Sequence, residues 1–183
     1  MYLKSSKGFT LIELIIVIVI LSIVSVIGIN FLGDSLKVYT MAVNQKTLFD
    51  EGKLAMERMV RDIRDARAIA EPDQGESRTD IRFTRNNATA QDQVAEALRF
   101  LISGAALQKR KSDPDVILID LASNVSAFTV TRGAADAEIT LVLTLSLTSG
   151  ENVTLQTKVN PKNFADDPTY KTYFRYWEEE ISN

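Results

Sequence analysis

The sequence predicts an α+β protein in which one long N-terminal helix packs against an antiparallel β-sheet. Three observations carry this expectation. Leu14 to Gly33 form a run of twenty residues without a charge. Beyond it, apolar residues recur every three or four positions from Leu48 to Ala70. After Pro72 the period changes to two, in short runs separated by Gly, Pro, Asn and Asp. A chain of 183 residues accommodates one domain plus a segment that lies outside it.

Composition narrows the chemistry. Lys+Arg number 21 and Asp+Glu 24, a net charge of −3, which argues against a nucleic-acid binder built on bulk positive charge. There is no histidine and no cysteine. That excludes an imidazole base, a thiolate nucleophile, a Cys/His zinc site and a disulfide. A Ser–Lys or paired-carboxylate enzyme survives the exclusion, but no constellation of residues nominates one. No catalytic residue, metal or cofactor is therefore expected.

The apolar run reads LIIVIVILSIVSVIGINFLG. Twenty helical residues span roughly 30 Å, the thickness of a bilayer core. The run is apolar on every side, unlike a surface helix. A secretory signal peptide would need a small-x-small cleavage site after it, and GINFLGDS is a poor match. A single membrane-spanning helix over 14–33 fits best. Lys4 and Lys7 precede it and no acidic residue does, so the N-terminus is expected in the cytoplasm and residues from Asp34 onward outside. Ser22, Ser25 and Gly28 place small residues along one side, where a neighbouring helix could approach closely.

The entry to the run reads K-G-F-T-L-I-E over residues 7–13. Glu13 sits among Leu11, Ile12 and Leu14, a costly place for an ionisable group without a partner. Read alone, it is a carboxylate at a helix N-terminus, favoured by the macrodipole. This string, followed by an apolar run, resembles the processing site of type IV prepilins and type II secretion pseudopilins. The resemblance implies a leader Met1–Gly8, cleavage after Gly8 by a membrane prepilin peptidase, and N-methylation of the new terminal residue, Phe9. It also implies an assembly role for Glu13. The carboxylate could pair with the α-amine of Phe9 on an adjacent subunit and so fix axial register; pairing within its own chain is the alternative. The expected partners are other pilin or pseudopilin subunits, the peptidase and an inner-membrane assembly platform. The expected location is the bacterial inner membrane, with a periplasmic globular region, and the filament once assembled.

The remaining elements follow in order. Helical periodicity continues from Asp34. Leu48, Gly52, Ala55, Met59, Ile63, Ala66 and Ala70 form one face, widened by Met56 and Val60. Glu57, Arg58, Arg61, Asp62, Arg64 and Asp65 form the other, read as a solvated face with i,i+4 pairs. The spine segment 34–71 ends at Pro72, so one helix is expected from about Thr10 to Ala70. A local break at Gly28–Gly33 is allowed, although no proline compels it. Residues 72–183 read as β-rich. Asp73–Ser77 is a polar loop. Ile81 and Phe83 mark a short strand. Ala97–Ser103 and Ala106–Lys111 form a hairpin across Gly104–Ala105. Val116–Leu121 and Val125–Thr131 are further strands. Ile139–Leu147 and Val153–Val159 form the clearest hairpin, with one face buried against the spine helix.

This β-rich region, with ERMVRDIRDA on the helix and VTLQTKVNPKN near its end, resembles the larger J-type minor pseudopilins and related minor pilins. The implied function is that of a minor structural subunit acting at filament initiation or at the tip. A DNA-uptake or adhesive minor pilin is the alternative on the same architecture, and a membrane-anchored enzyme the less favoured one. Two weaker features stand apart. Asp113/Asp115 and Asp166/Asp167 could offer oxygens to calcium, but acidic-proline turns are the simpler reading. The tail carries Tyr170, Tyr173, Phe174, Tyr176 and Trp177 before Glu178–Glu180, either a packing segment or a partner-binding patch.

Overall fold

The structure, a computed structural model, describes residues 8–90, 92–112, 114–134 and 138–162. Residues 1–7, within the expected leader, Asp113, the Asp166/Asp167 pair and the aromatic tail lie outside the described residues. The fold is α+β, as the change of period predicts. One helix, α1 (Leu11–Arg64), is followed by nine strands. They are β1 (Ala66–Glu71), β2 (Ser77–Arg78), β3 (Asp80–Arg85), β4 (Ala97–Ser103), β5 (Ala106–Ser112), β6 (Asp115–Ala122), β7 (Val125–Arg132), β8 (Ile139–Ser146) and β9 (Asn152–Val159). The chain divides into two units, residues 1–43 and residues 44–183.

In the first unit the helix carries the apolar run. It begins at Leu11 and passes Gly28 and Gly33 without interruption. Every residue from Gly8 to Val43 is exposed. The hydroxyls of Ser22 and Ser25 donate to the carbonyls of Ile18 and Leu21 at 2.7 Å, so neither polar group needs water or a second chain.

In the second unit the strands form two antiparallel sheets where one was expected. The order is β1-β3-β4-β5-β6 in the five-stranded sheet and β2-β7-β8-β9 in the four-stranded one. The expected hairpins are present in register, Leu98 opposite Lys111 in β4–β5 and Leu143 opposite Leu155 in β8–β9. Their turns use Gly104 and Gly150 at φ of 63° and 105°, where a side chain would be strained. The core gathers Leu48, Ala55, Met59 and Ile63 of α1, Phe83 and Phe100 of the first sheet, and Leu141, Leu143 and Leu145 of the second. The Phe83 and Phe100 rings pack with centroids 5.2 Å apart. Gly52 lets the sheet approach closely: a Cβ there would lie 2.7 Å from Leu155 Cδ1 and 2.8 Å from Leu145 Cδ1, so both leucine side chains would have to shift.

Three expectations are corrected. The helix ends at Arg64, and residues 66–71 form β1 instead of its last turns. ARAIA is rich in the helix formers Ala and Arg, and pairing with β3 overrides that local preference. Ala68 and Ile69 lie opposite Thr84 and Phe83, while Ala66 and Ile69 enter the core. Ala70, placed on the apolar face of a helix by periodicity, is exposed. The loop expected at 73–77 runs into the two-residue strand β2, whose Ser77 and Arg78 pair with Thr131 and Val130. The charged side of α1 is not uniformly solvated. Asp62 and Asp65 turn toward the sheet, where Arg85 and Lys109 meet them.

That meeting is a largely buried charge cluster. Arg85 reaches Asp62 at 3.1 Å, Asp65 at 3.2 Å and Asp92 at 3.3 Å. Lys109 reaches Asp62 at 2.9 Å and also bonds Asp92 closely. The Asp92 side chain is 0% exposed and those of Lys109 and Arg85 7% and 8%. Asn87 donates to Asp65 through its backbone and its amide, at 3.1 and 2.6 Å. The cluster thus ties α1 to β3, β5 and the loop between β3 and β4.

Candidate functional site

The site lies at the start of α1, and local chemistry builds it. Thr10 is the residue before the first helical one. Its amide and its hydroxyl both donate to Glu13 Oε2 at 2.9 Å. The amide of Glu13 donates back to Thr10 Oγ1 at 3.3 Å. This reciprocal pair is a capping box, which satisfies donors that a helix N-terminus otherwise leaves orphaned. The acidic side chain in the first turn also faces the positive end of the helix dipole. The T-x-x-E spacing of Thr10 and Glu13 was the available signal for it. Glu13 drew attention as a charge in an apolar run, and Thr10 as its partner was missed.

The cap does not use up the carboxylate. Both Thr10 bonds end on Oε2, and among the described residues Oε1 accepts none. An ionised carboxylate has two accepting oxygens. Glu13 can therefore hold its own helix end and still receive a cation. The Gly8–Phe9 bond, where cleavage is expected, is equally accessible. Gly8 and Phe9 precede the helix without regular structure, and Phe9 is 85% exposed. A Cβ added at Gly8 would meet nothing within 4 Å. Cleavage between Gly8 and Phe9 would leave the Phe9–Thr10 peptide intact, so the capping box would survive in the shortened chain.

Behind this entry the helix presents its apolar side chains without protein cover. Leu11 and Phe31 are 78% and 70% exposed. Among the described residues α1 is the one helix long and apolar enough to cross a membrane. So large an apolar surface is stable only in lipid or against other apolar helices. Ser22, Ser25 and Gly28 fall on it, and a Cβ at Gly28 would meet open space. Of the weaker candidates, Asp115 pairs with Arg110 at 3.2 Å.

Residues 3–29 match the family model of the prokaryotic N-terminal methylation motif. The match takes in Gly8, Phe9, Thr10, Glu13 and most of the apolar run. It supports a type IV pilin-like protein of the kind processed by prepilin peptidase. No curated protein and no solved structure matches the chain.

Proposed function

We propose that the protein is a minor pilin or pseudopilin, a structural subunit that prepilin peptidase cuts between Gly8 and Phe9 and methylates at Phe9. It is anchored in the bacterial inner membrane through residues 14–33, with its N-terminus cytoplasmic and residues 44–183 in the periplasm. It then joins a type IV pilus or type II secretion pseudopilus through α1, at initiation or at the tip. The observation that carries this reading is the entry to α1: an exposed Gly8–Phe9 bond, a capped first turn and an uncovered apolar helix, all within the matched motif. The J-type resemblance of the β-rich region supports the minor-subunit reading. A DNA-uptake or adhesive subunit would share this N-terminus and differ in what the second unit binds.

Glu13 has two roles in this proposal. Oε2 closes the cap, and Oε1 takes the α-amine of Phe9 from an adjacent subunit. That amine, with a reference pKa near 8, is mostly protonated at neutral pH. Two substitutions separate the roles. Glu13→Gln keeps a capping-box residue and removes the charge; Glu13→Leu removes both. Loss of a cap costs about 1 kcal/mol and frays one turn, whereas loss of the charge pair unfixes register.

The experiment is intact mass and N-terminal sequencing of membrane-extracted protein, with crosslinking to filament subunits. The mature chain should begin at Phe9 and carry one methyl group. Both variants should still be cleaved, and both should lose recruitment. A wild-type chain beginning at Met1, or beyond Asp34, sinks the assignment. If Glu13→Gln is recruited as wild type and Glu13→Leu is not, Glu13 acts as a cap alone.

A further inference from the structure

The carboxylates that helical spacing assigns to Arg58 and Arg61 are turned away from them. Asp62 lies four residues after Arg58, but its two oxygens meet Arg85 at 3.1 Å and Lys109 at 2.9 Å. Asp65 lies four residues after Arg61, but it meets Arg85 at 3.2 Å and the Asn87 amide at 2.6 Å. Glu57, four residues before Arg61, pairs with Lys53 at 3.9 Å. Arg61 also borders the groove beside β9, whose carboxylates are these same Glu57 and Asp65. Arg58 and Arg61 are exposed, and neither makes an ion pair among the described residues. They stand three positions apart on the helix, where like charges repel. The helix dipole favours Arg61, in the last turn, but does not reach back to Arg58. Both arginines border a second cavity, of about 330 Å³, between α1 and the five-stranded sheet. Its other charged walls are Asp62, Arg85 and Lys109, and half-buried Ile119 and buried Leu121 form an apolar floor. Thr89, at the rim, already donates to Asp92 at 3.2 Å. Asp65 and Asp92 lie behind the wall, bonded to Arg85. Four cations thus meet three carboxylates, and one positive charge is left uncompensated.

We propose that this cavity receives an acidic side chain of another polypeptide chain, its carboxylate bridging Arg58 and Arg61 and its aliphatic stem resting on Ile119 and Leu121. Charge selects the occupant. One carboxylate neutralises the surplus, and its two oxygens take one guanidinium each, relieving the repulsion between the arginines. Lys109 and Arg85 are nearly buried and already engaged by Asp62 and Asp92, so the two exposed arginines are the groups that reach a newcomer. Size and access select a side chain over a free ligand. The volume lies at the lower end of the range for small-molecule pockets, about 300–1,000 Å³. Arg58, Arg61 and Thr89 at the rim are exposed, so a chain lying across the surface can present one side chain into it. The inference rests on residues 44–162 and is independent of processing at Gly8.

The test uses the full chain in a non-ionic detergent. Phenylglyoxal, which modifies exposed guanidinium groups, is applied with and without a probe, and the modified arginines are mapped by mass spectrometry. The probe is the peptide acetyl-Leu-Glu-Leu-amide at millimolar concentration; acetyl-Leu-Gln-Leu-amide and valerate are the comparisons. The Glu peptide should slow modification of Arg58 and Arg61 and leave exposed Arg67, away from the cavity, unchanged. The Gln peptide should protect neither. Arg58→Gln keeps a good helix former at an exposed position, so circular dichroism should not change. It should raise the concentration of Glu peptide that half-protects Arg61 roughly fivefold, the scale of one exposed charge pair. Failure of the Glu peptide to protect, or equal protection by the Gln peptide, would overturn the proposal. Protection that extends to Arg67 would reduce the effect to general charge screening and overturn it too. Protection of Arg61 that ignores Arg58→Gln would show that the two arginines share no ligand. Valerate protecting as well as the peptide would assign the cavity to free acids and overturn the polypeptide partner.

Discussion

Replacing Lys109 with methionine removes one of the two cations that hold three carboxylates together. Lys109 contacts Asp62 at 2.9 Å and bonds Asp92 closely, and the Asp92 side chain has no solvent exposure. Methionine keeps most of the aliphatic stem, so the change is mainly one of charge. Asp92 would keep Arg85 at 3.3 Å and the Thr89 hydroxyl at 3.2 Å. Its other oxygen, Oδ1, is buried and has no hydrogen-bond partner among the described residues, so none of these supplies a second bond in place of the lost one. Removing one member of a buried ion pair costs about 3–5 kcal/mol, because the remaining charge stays in a poor solvent. The expected result is a loss in that range, read by urea unfolding of residues 34–183 with far-ultraviolet circular dichroism. At a denaturant slope of about 2 kcal/mol per molar, the midpoint should fall by roughly 1.5–2.5 M. Adding Asp92→Leu to Lys109→Met should restore part of the loss, with a coupling of about 1–3 kcal/mol. Salt near 1 M should change the coupling little, because buried charges are poorly screened. A single-variant loss below about 1 kcal/mol, or strict additivity of the two changes, would refute the view that the cluster acts as a buried unit.

Further predictions concern the same unit. Residues 34–183 alone should be soluble and show mixed helix and strand by circular dichroism; an all-helical or unfolded spectrum would contradict the architecture. Gly52→Val should destabilise by about 1–3 kcal/mol despite a gain in helix propensity, because its Cβ would strike the buried Leu145; a midpoint at or above wild type would show that the interface has room. Acid should weaken the fold. The backbone N–H of Asp73 and then Arg78 hold Glu76 below its ordinary value of 4.5. Lys111 and then the Gln93 N–H do so for Glu96, and Ser149 and then Asn44 for Glu151. Each therefore contributes stability above the unfolded value that is lost as pH falls through the lower folded one. The urea midpoint should drop between roughly pH 5 and 3 and stay flat from about 5 to 8, since no histidine titrates there. A rising midpoint on acidification would contradict the sign.

Periodicity made much of this fold readable, and its failures share one cause. Leu48, Gly52, Ala55, Met59 and Ile63 are buried as the helical spacing requires. Ile139, Leu141, Leu143 and Leu145 are buried as the two-residue alternation requires. Both patterns are local and repeat within one element. Ala66 and Ala70 continue the helical spacing by accident, because the partner that draws this segment into a strand lies at residues 82–85. Asp62 and Asp65 look solvated for a similar reason: their cations come from β3 and β5, and i,i+4 arithmetic sees only neighbours on the helix. The division into two sheets was hidden too, since alternation assigns a face and not a sheet. At the candidate site, Glu13 stood out as a charge in an apolar run, and Gly8 and Phe9 came from the resemblance of residues 7–13 to a prepilin processing site. Thr10 escaped notice because its role is to complete a hydrogen-bonded ring, which only the pair defines.

The charge cluster bears on how the second unit carries load. The apolar contacts of α1 are interchangeable to a degree: a slide of one helical turn, about 5.4 Å, presents another row of side chains to the sheets. Ion contacts near 3 Å have no such second register. Asp62 and Asp65 act as a shear pin, holding α1 against β3 and β5 until a displacement of a few ångströms breaks them. A pull along the helix axis should meet stiff resistance and then abrupt release. Lys109→Met would lower the force at which the helix slips more than it alters how far the chain extends afterwards.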